Sequence, residues 1–283
     1  MSIITFVNSI EEETGKTMSL AAIATHMAIE YNNKILIIST TNKEEKLKSC
    51  YFEDTEVKKF RLGLFGNNNK SLIDSGNGIE GLIRVARSNK LTPEMITNYT
   101  RVVFKDRLEI LLGTEEKQND DEKEIAEEYV ELINVANMYY DKVFVDLDNN
   151  IDEQIRQQKI DESDLVIVNT SQNYSSIKKL KNKKQKSELL KSPRSLVLVG
   201  KYDKYSKYNS KNITRFLEEK NQVLTIPYNT LYFEAANEGG VPDLFLNFRK
   251  TIDSEDRNAI FINEVKRASE NIIYRLQELQ TII

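Results

Sequence analysis

Short apolar runs alternate along this chain with longer amphipathic stretches. Ile3–Val7, Lys34–Ile38, Leu108–Leu112, Lys142–Asp148, Leu165–Val168, Ser195–Gly200 and Val223–Ile226 are bounded by polar or turn-forming residues. In most of them successive positions are apolar on both faces, as in parallel strands covered by helices on either side. Between them, Leu20–Ile29 is rich in helix formers, and Gly78–Arg87 reads as a helix. Thr92-Pro93-Glu94 suits an N-cap and first turn. Glu122–Tyr140 places Ile125, Tyr129, Leu132, Ile133 and Ala136 on one face. A lysine-rich helix is expected to end at Lys191, another to surround Ile213–Lys220, and a long one to start at Ser254. Residues 39–75 read as a polar connection with turns at Gly63 and Gly66. The alternation predicts an α/β fold, a mainly parallel central sheet with helices on both faces. All 283 residues are expected to form a single domain.

One junction in this pattern carries candidate chemistry. Ser9–Ser19 joins the first strand to the first helix and contains Gly15-Lys16-Thr17. Strand, loop, Gly-Lys-Thr, helix is the setting of a phosphate-binding P-loop. Backbone N–H groups over Thr14, Gly15, Lys16, Thr17 and Met18 then face an anion, Lys16 reaches the outer phosphates, and Thr17 ligates magnesium. The full pattern requires glycine at position 10, where Ile10 stands, and Glu11–Glu13 oppose a phosphate unless they turn outward. Asp146 ends an apolar strand and is the candidate for the magnesium shell. The plainer reading is a strand-end aspartate serving a turn. Asp148, two residues on, reads as the same side of that strand.

Composition narrows the alternatives. The formal net charge of −4 gives no signal for nucleic acid. One cysteine and one histidine exclude a disulfide framework and a zinc site. His26, on an apolar helix, reads as a packed and hydrogen-bonded core residue. No signal-peptide pattern and no apolar run of roughly 20 residues is present, so the expected location is cytoplasmic. The lysines of Lys178–Lys186 read either as a solvated helix face or as a contact for DNA or an anionic membrane. In the last helix, Phe261, Val265, Ala268, Ile272, Leu276, Leu279 and Ile283 recur at intervals of three and four. Charges of both signs cover its other face, so it reads as packed on the sheet rather than as a basic membrane anchor.

The order of these elements resembles the ParA/MinD family of deviant P-loop ATPases (SIMIBI class) over nearly the whole chain. Asn33–Ile38 is similar to the strand after the family's P-loop helix, Tyr140–Asp146 to its Walker B strand, and Ser163–Val168 to the strand that follows. Ile226–Gly239 is similar to the I-P-x-D…E-A-x-x-x-G segment, which implies that Pro227 and Tyr228 lie near a base. The stretch Gly81–Gly113 resembles the CpaE/TadZ branch, which localises pilus assembly machinery. Departures accompany the matches. The family's first P-loop lysine, which reaches across a dimer, corresponds to Glu11. The aspartates after the second strand correspond to Ser39 and Thr41, and the adenine-reading asparagine to Gly200. Gly200-Lys-Tyr-Asp203 also resembles a guanine reader without its first residue, and a surface turn is the plainer account. The resemblance implies a positioning protein that binds ATP or ADP with magnesium through Thr17 and Asp146. It further implies a homodimer, protein partners and recruitment to membrane-associated machinery, while the departures imply slow or absent hydrolysis. The alternatives are a nucleotide-free scaffold and a DNA-binding partition ATPase using Lys178–Lys186.

Overall fold

A computed structural model describes residues 1–9, 13–40, 45–53, 79–88, 91–112, 122–149, 153–251 and 255–281. Eight strands form one sheet in the order β3-β4-β2-β5-β1-β6-β7-β8. They are β1 (Ser2–Asn8), β2 (Ile35–Ser39), β3 (Arg101–Phe104), β4 (Leu108–Leu111), β5 (Lys142–Asp146), β6 (Leu165–Ser171), β7 (Ser195–Tyr202) and β8 (Leu224–Pro227). Every neighbouring pair is parallel except the edge pair β3–β4.

The doubly apolar strand pattern is what gives the sheet two dry faces. Ile4 and Phe6, Ile35 and Ile37, Phe144, and Leu165 and Ile167 point to one side. Ile3 and Val7, Leu36 and Ile38, Val143 and Val145, and Val166 and Val168 point to the other. On the first side lie α1 (Lys16–Glu30), α2 (Glu45–Tyr51), and three helices from the end of the chain. On the second lie α3 (Ile79–Arg87), a 3-10 turn (Pro93–Asn98), α4 (Glu122–Asn137), α5 (Glu153–Asp161) and α6 (Tyr174–Lys186). They are followed there, after the single turn α7 (Glu188–Lys191), by α8 (Ser210–Leu217). The late helices of the first side are α9 (Thr230–Glu238), α10 (Val241–Phe248) and α11 (Arg257–Thr281).

Several expectations are corrected in detail. The residues after Pro93 form a 3-10 turn rather than an α-helix, and Thr92 makes no side-chain cap. The lysine-rich helix stops at Lys186, where the Ser187 hydroxyl accepts the Leu190 N–H and starts α7. Helix α2 lies inside the stretch read as polar connection, and β3 forms a hairpin with β4 that the pattern did not announce. Strand β5 ends at Asp146, so Asp148 lies beyond it. The expectations for Ile10–Glu12, Thr41, Gly63, Gly66, Gly78, Ser254 and Ile283, and for the side chain of Ile125, lie outside the described residues.

Helix α1 leaves the carboxyl end of β1, whose neighbours are β5 on one side and β6 on the other. In an open parallel sheet this edge, where chain order reverses, is the place for a ligand.

Candidate phosphate-binding site

The loop after β1 is tied down at both ends. The Ser9 N–H donates to the Asn169 carbonyl at 2.8 Å, and the Thr14 hydroxyl donates to Asn8 Oδ1. Gly15 then caps α1 in the left-handed region at φ 78°, a conformation other residues enter only at a cost. No side chain caps the helix and no acidic residue occupies its first turn, so its first N–H groups can receive an anion.

Lys16 and Thr17 meet the end of β5 directly. Lys16 Nζ stands 2.6 Å from Asp146 Oδ1 and also donates to the Leu147 carbonyl. Asp146 Oδ2 accepts the Thr17 hydroxyl at 2.7 Å. Lys16 is 7% exposed and Asp146 only 1%. Across the strand, Ser39 pairs in register with Asp146 and is itself buried. Thr40 donates its N–H to the Asp146 carbonyl at 3.2 Å, and its hydroxyl accepts the Asp148 N–H at 2.9 Å. Sequence reasoning missed Thr40, which ties down the backbone from Asp146, at the end of β5, to Asp148. The Thr17 hydroxyl and the Asp146 carboxylate are hard oxygen donors of the kind magnesium takes when phosphate oxygens complete its shell. Among the described residues no group of three or more His, Cys, Asp or Glu could hold a metal by itself. A bound ion here would neutralise developing charge on a phosphoryl group. The residues of this chain would hold it through Thr17 and Asp146 and face the phosphates with Lys16 and the start of α1.

Gly15, Met18, Pro227 and Tyr228 come together at the second part of the site, with Ser19, Lys201 and Tyr232. The Tyr232 hydroxyl donates to the Met18 carbonyl at 2.5 Å, which pins α9 to the first turn of α1. The cavity they enclose is about 20 Å³, far below the roughly 300–1,000 Å³ of ordinary ligand pockets. Gly200 explains part of this tightness. A Cβ there would sit 2.3 Å from the Thr14 carbonyl oxygen, so the phosphate loop packs directly on β7. Lys201, at φ 51°, lays its side chain along Gly15.

Other sequence candidates fall into place around this centre. Glu13 is exposed and pairs with Lys46 at 2.5 Å, turned outward as the charge argument requires. That hydrogen bond, and then the lysine's charge, hold its carboxyl below the usual range. Asp203 Oδ1 accepts the Tyr205 N–H at 2.9 Å, so this carboxylate serves a surface turn. His26 is buried against the edges of Tyr31 and Phe245, and burial pushes its pKa down to about 4. Its packing is as expected, but its buried Nδ1 makes no hydrogen bond, which corrects the expectation that it does. On α6, Lys181 pairs with Glu218 at 2.8 Å, Lys184 with Glu219 at 2.6 Å, and Lys183 donates to the Ser9 carbonyl at 2.6 Å.

The sheet order, the glycine-capped first helix and the lysine–aspartate contact together define a P-loop NTPase fold. Its solved counterparts are of ParA/MinD type. A ParA family ATPase from Chlorobium tepidum TLS superposes with a TM-score of 0.62 at 14% identity, covering 92% of this chain and 95% of that one. The septum site-determining protein MinD of Pyrococcus horikoshii OT3, solved with Mg-ADP, gives 0.60 at 17% identity, with 96% and 95% covered. A plasmid partition protein from Borrelia burgdorferi B31, bound to AMPPNP, gives 0.58 at 15%, with 99% and 98% covered. No protein-family model and no curated protein matches the sequence. Among the described residues no helix is long and apolar enough to cross a membrane.

Proposed function

We propose that this chain is a nucleotide-binding positioning protein of ParA/MinD type. It takes ATP or ADP with magnesium, hydrolyses it slowly or not at all, and acts as one domain that dimerises and recruits protein partners. The single observation behind this reading is the convergence of Lys16 and Thr17, just after the Gly15 cap, on Asp146 at the carboxyl edge of the sheet. Counterparts of the same fold were solved with Mg-ADP and AMPPNP. The resemblance of Gly81–Gly113 to CpaE/TadZ proteins favours pilus or secretion machinery as the target. The test is calorimetry with ATP, ADP and GTP in magnesium, comparing the protein with Lys16→Ala. Binding is expected to weaken at least about tenfold in the variant, since the phosphate loses a charge-assisted partner. Equal or tighter binding by Lys16→Ala overturns the reading.

A nucleotide-free scaffold is the second reading, favoured by the 20 Å³ cavity beside Tyr228 and the internal pairing of Lys16. DNA binding through α6 is less supported, because Lys181, Lys183 and Lys184 already have partners within the chain.

A further inference from the structure

We propose that Asn169 is a positioning residue for the phosphate loop, its side-chain amide held in reserve for the arrangement the loop takes around a nucleotide. The inference rests on the nucleotide-binding reading above and deepens it. Asn169 lies on β6 at 0% exposure, and neither its Oδ1 nor its Nδ2 has a hydrogen-bond partner. Native folds seldom bury an amide in that state, because each unpaired group loses water without gaining a partner. Its strand position sets it beside the loop. It follows Leu165 and Ile167 on the side of the sheet that carries α1. It pairs in register with Asn8, whose amide oxygen accepts the Thr14 hydroxyl, and its carbonyl accepts the Ser9 N–H at 2.8 Å. The loop's first residue is thus fastened to the Asn169 backbone and Thr14 to the neighbour across the ladder, while the Asn169 amide holds nothing. The buried hydroxyls of Ser9 and Thr170, next to it, are unpartnered as well. Unmet hydrogen-bonding capacity therefore gathers where the loop leaves β1.

The loop cannot both keep this arrangement and admit a nucleotide. The space beside Gly15 and Tyr228 is about 20 Å³, room for about one water molecule. The loop also already rests on β7 at Gly200. Entry of a nucleotide therefore shifts the loop, and with it the Thr14 hydroxyl and the backbone that leads into α1. An amide both donates and accepts, so Asn169 can meet either kind of group that the shift brings to it. Meeting one removes a destabilisation that the empty site carries, so Asn169 favours the occupied arrangement over the empty one. Lys16, Thr17 and Asp146 would touch the ligand and its metal, whereas Asn169 acts through the loop. A buried water shared by Asn169 would instead make the amide part of the fold in both states. The two roles differ in what loss of the amide does to the empty protein.

Asn169→Leu deletes the amide at nearly constant shape, and Asn169→Ala and Asn169→Ser differ from each other only by a hydroxyl. The experiment measures urea unfolding without ligand, and Mg-ADP affinity by calorimetry, for the wild type and these three variants, with Lys16→Ala as the binding control. Asn169→Leu should leave ligand-free stability unchanged or raised, because it removes an unpaired buried group. Its Mg-ADP affinity should fall about tenfold, the scale of one hydrogen bond lost from a buried site. Asn169→Ser should stay within about threefold of the wild type and Asn169→Ala should not, since the hydroxyl can stand in for the amide. Equal affinity in the wild type and Asn169→Leu, with Lys16→Ala impaired, overturns the inference and leaves nucleotide binding intact. A fall in ligand-free stability that matches the fall in affinity also overturns it, because the amide then serves the fold in both states. No Mg-ADP binding by the wild type overturns this inference and the nucleotide reading together. If Asn169→Leu does not fold, the comparison of Asn169→Ser with Asn169→Ala decides.

Discussion

Gly200, which the family resemblance sets against a base-reading asparagine, has a steric role in this structure. A methyl group there would lie 2.3 Å from the Thr14 carbonyl, and the contact is with backbone, which cannot rotate away. Gly200→Ala is expected to push the phosphate loop off β7 and weaken Mg-ADP binding at least about tenfold, a displacement of the kind that upsets positioned groups. Unchanged calorimetric affinity would dismiss that role. His26 offers a separate test. Its folded pKa of about 4 lies below the ordinary 6.5 because burial disfavours the cation, with Glu30 and Lys266 the nearby charges. Between those values the unfolded chain takes up a proton that the folded one refuses. Stability is therefore full above pH 6.5 and falls toward pH 4, by roughly 3 kcal/mol. His26→Leu should flatten urea-derived stability across that window, and a slope that persists would place the pH dependence elsewhere. At this scale Gly15, Lys16 and Thr17 were legible in the sequence, since adjacency alone identifies them. Thr40 and the steric role of Gly200 were not, because each matters through a backbone group far away in the chain.

Among the elements, α11 shows how far periodicity reaches. Its intervals of three and four predicted a packed face, and Phe261, Val265, Ala268, Ile272 and Leu276 are buried as expected. Ile272→Ala should cost about 2–5 kcal/mol in urea unfolding, whereas Glu270→Ala on the exposed side should stay within about 0.5 kcal/mol. Equal small effects would mean that this helix does not pack on the sheet. Helix α2 and strand β3 were unreadable for different reasons. Helix α2 has only seven residues, too few for a period to stand out from the surrounding lysines. Strand β3 is a half-exposed edge with one antiparallel neighbour, so it lacks the doubly apolar signature of the central strands.

For the molecule as a whole, turnover and nucleic-acid binding are the decisive properties. Hydrolysis needs a held water and charge stabilisation on the transferring group. By the family resemblance, Ser39 corresponds to a position that carries a water-orienting carboxylate and Glu11 to one that carries a second lysine. Each such loss costs on the order of 10²–10³ in rate. Purified protein with magnesium should show no ATPase activity above the Lys16→Ala control. Turnover of about one per minute or faster, abolished by that substitution, would refute this; a single missing contact of that size would not then be limiting. With a net charge of −4 and three lysines of α6 engaged internally, no salt-dependent DNA shift is expected. A shift whose affinity falls steeply with salt would restore the partition reading.

The sequence alone determined the parallel α/β sheet, the place of the phosphate loop and the aspartate facing it. These follow from local properties: strands apolar on both faces, and a Gly-Lys-Thr triplet between strand and helix. Only the tertiary structure decided that Lys16 is held by Asp146, that Tyr232 fastens Met18 from 214 residues away, and that Gly200 lets the loop settle on β7. Such contacts join segments distant in the chain through distances of a few ångströms. No local pattern of apolar and polar residues encodes them.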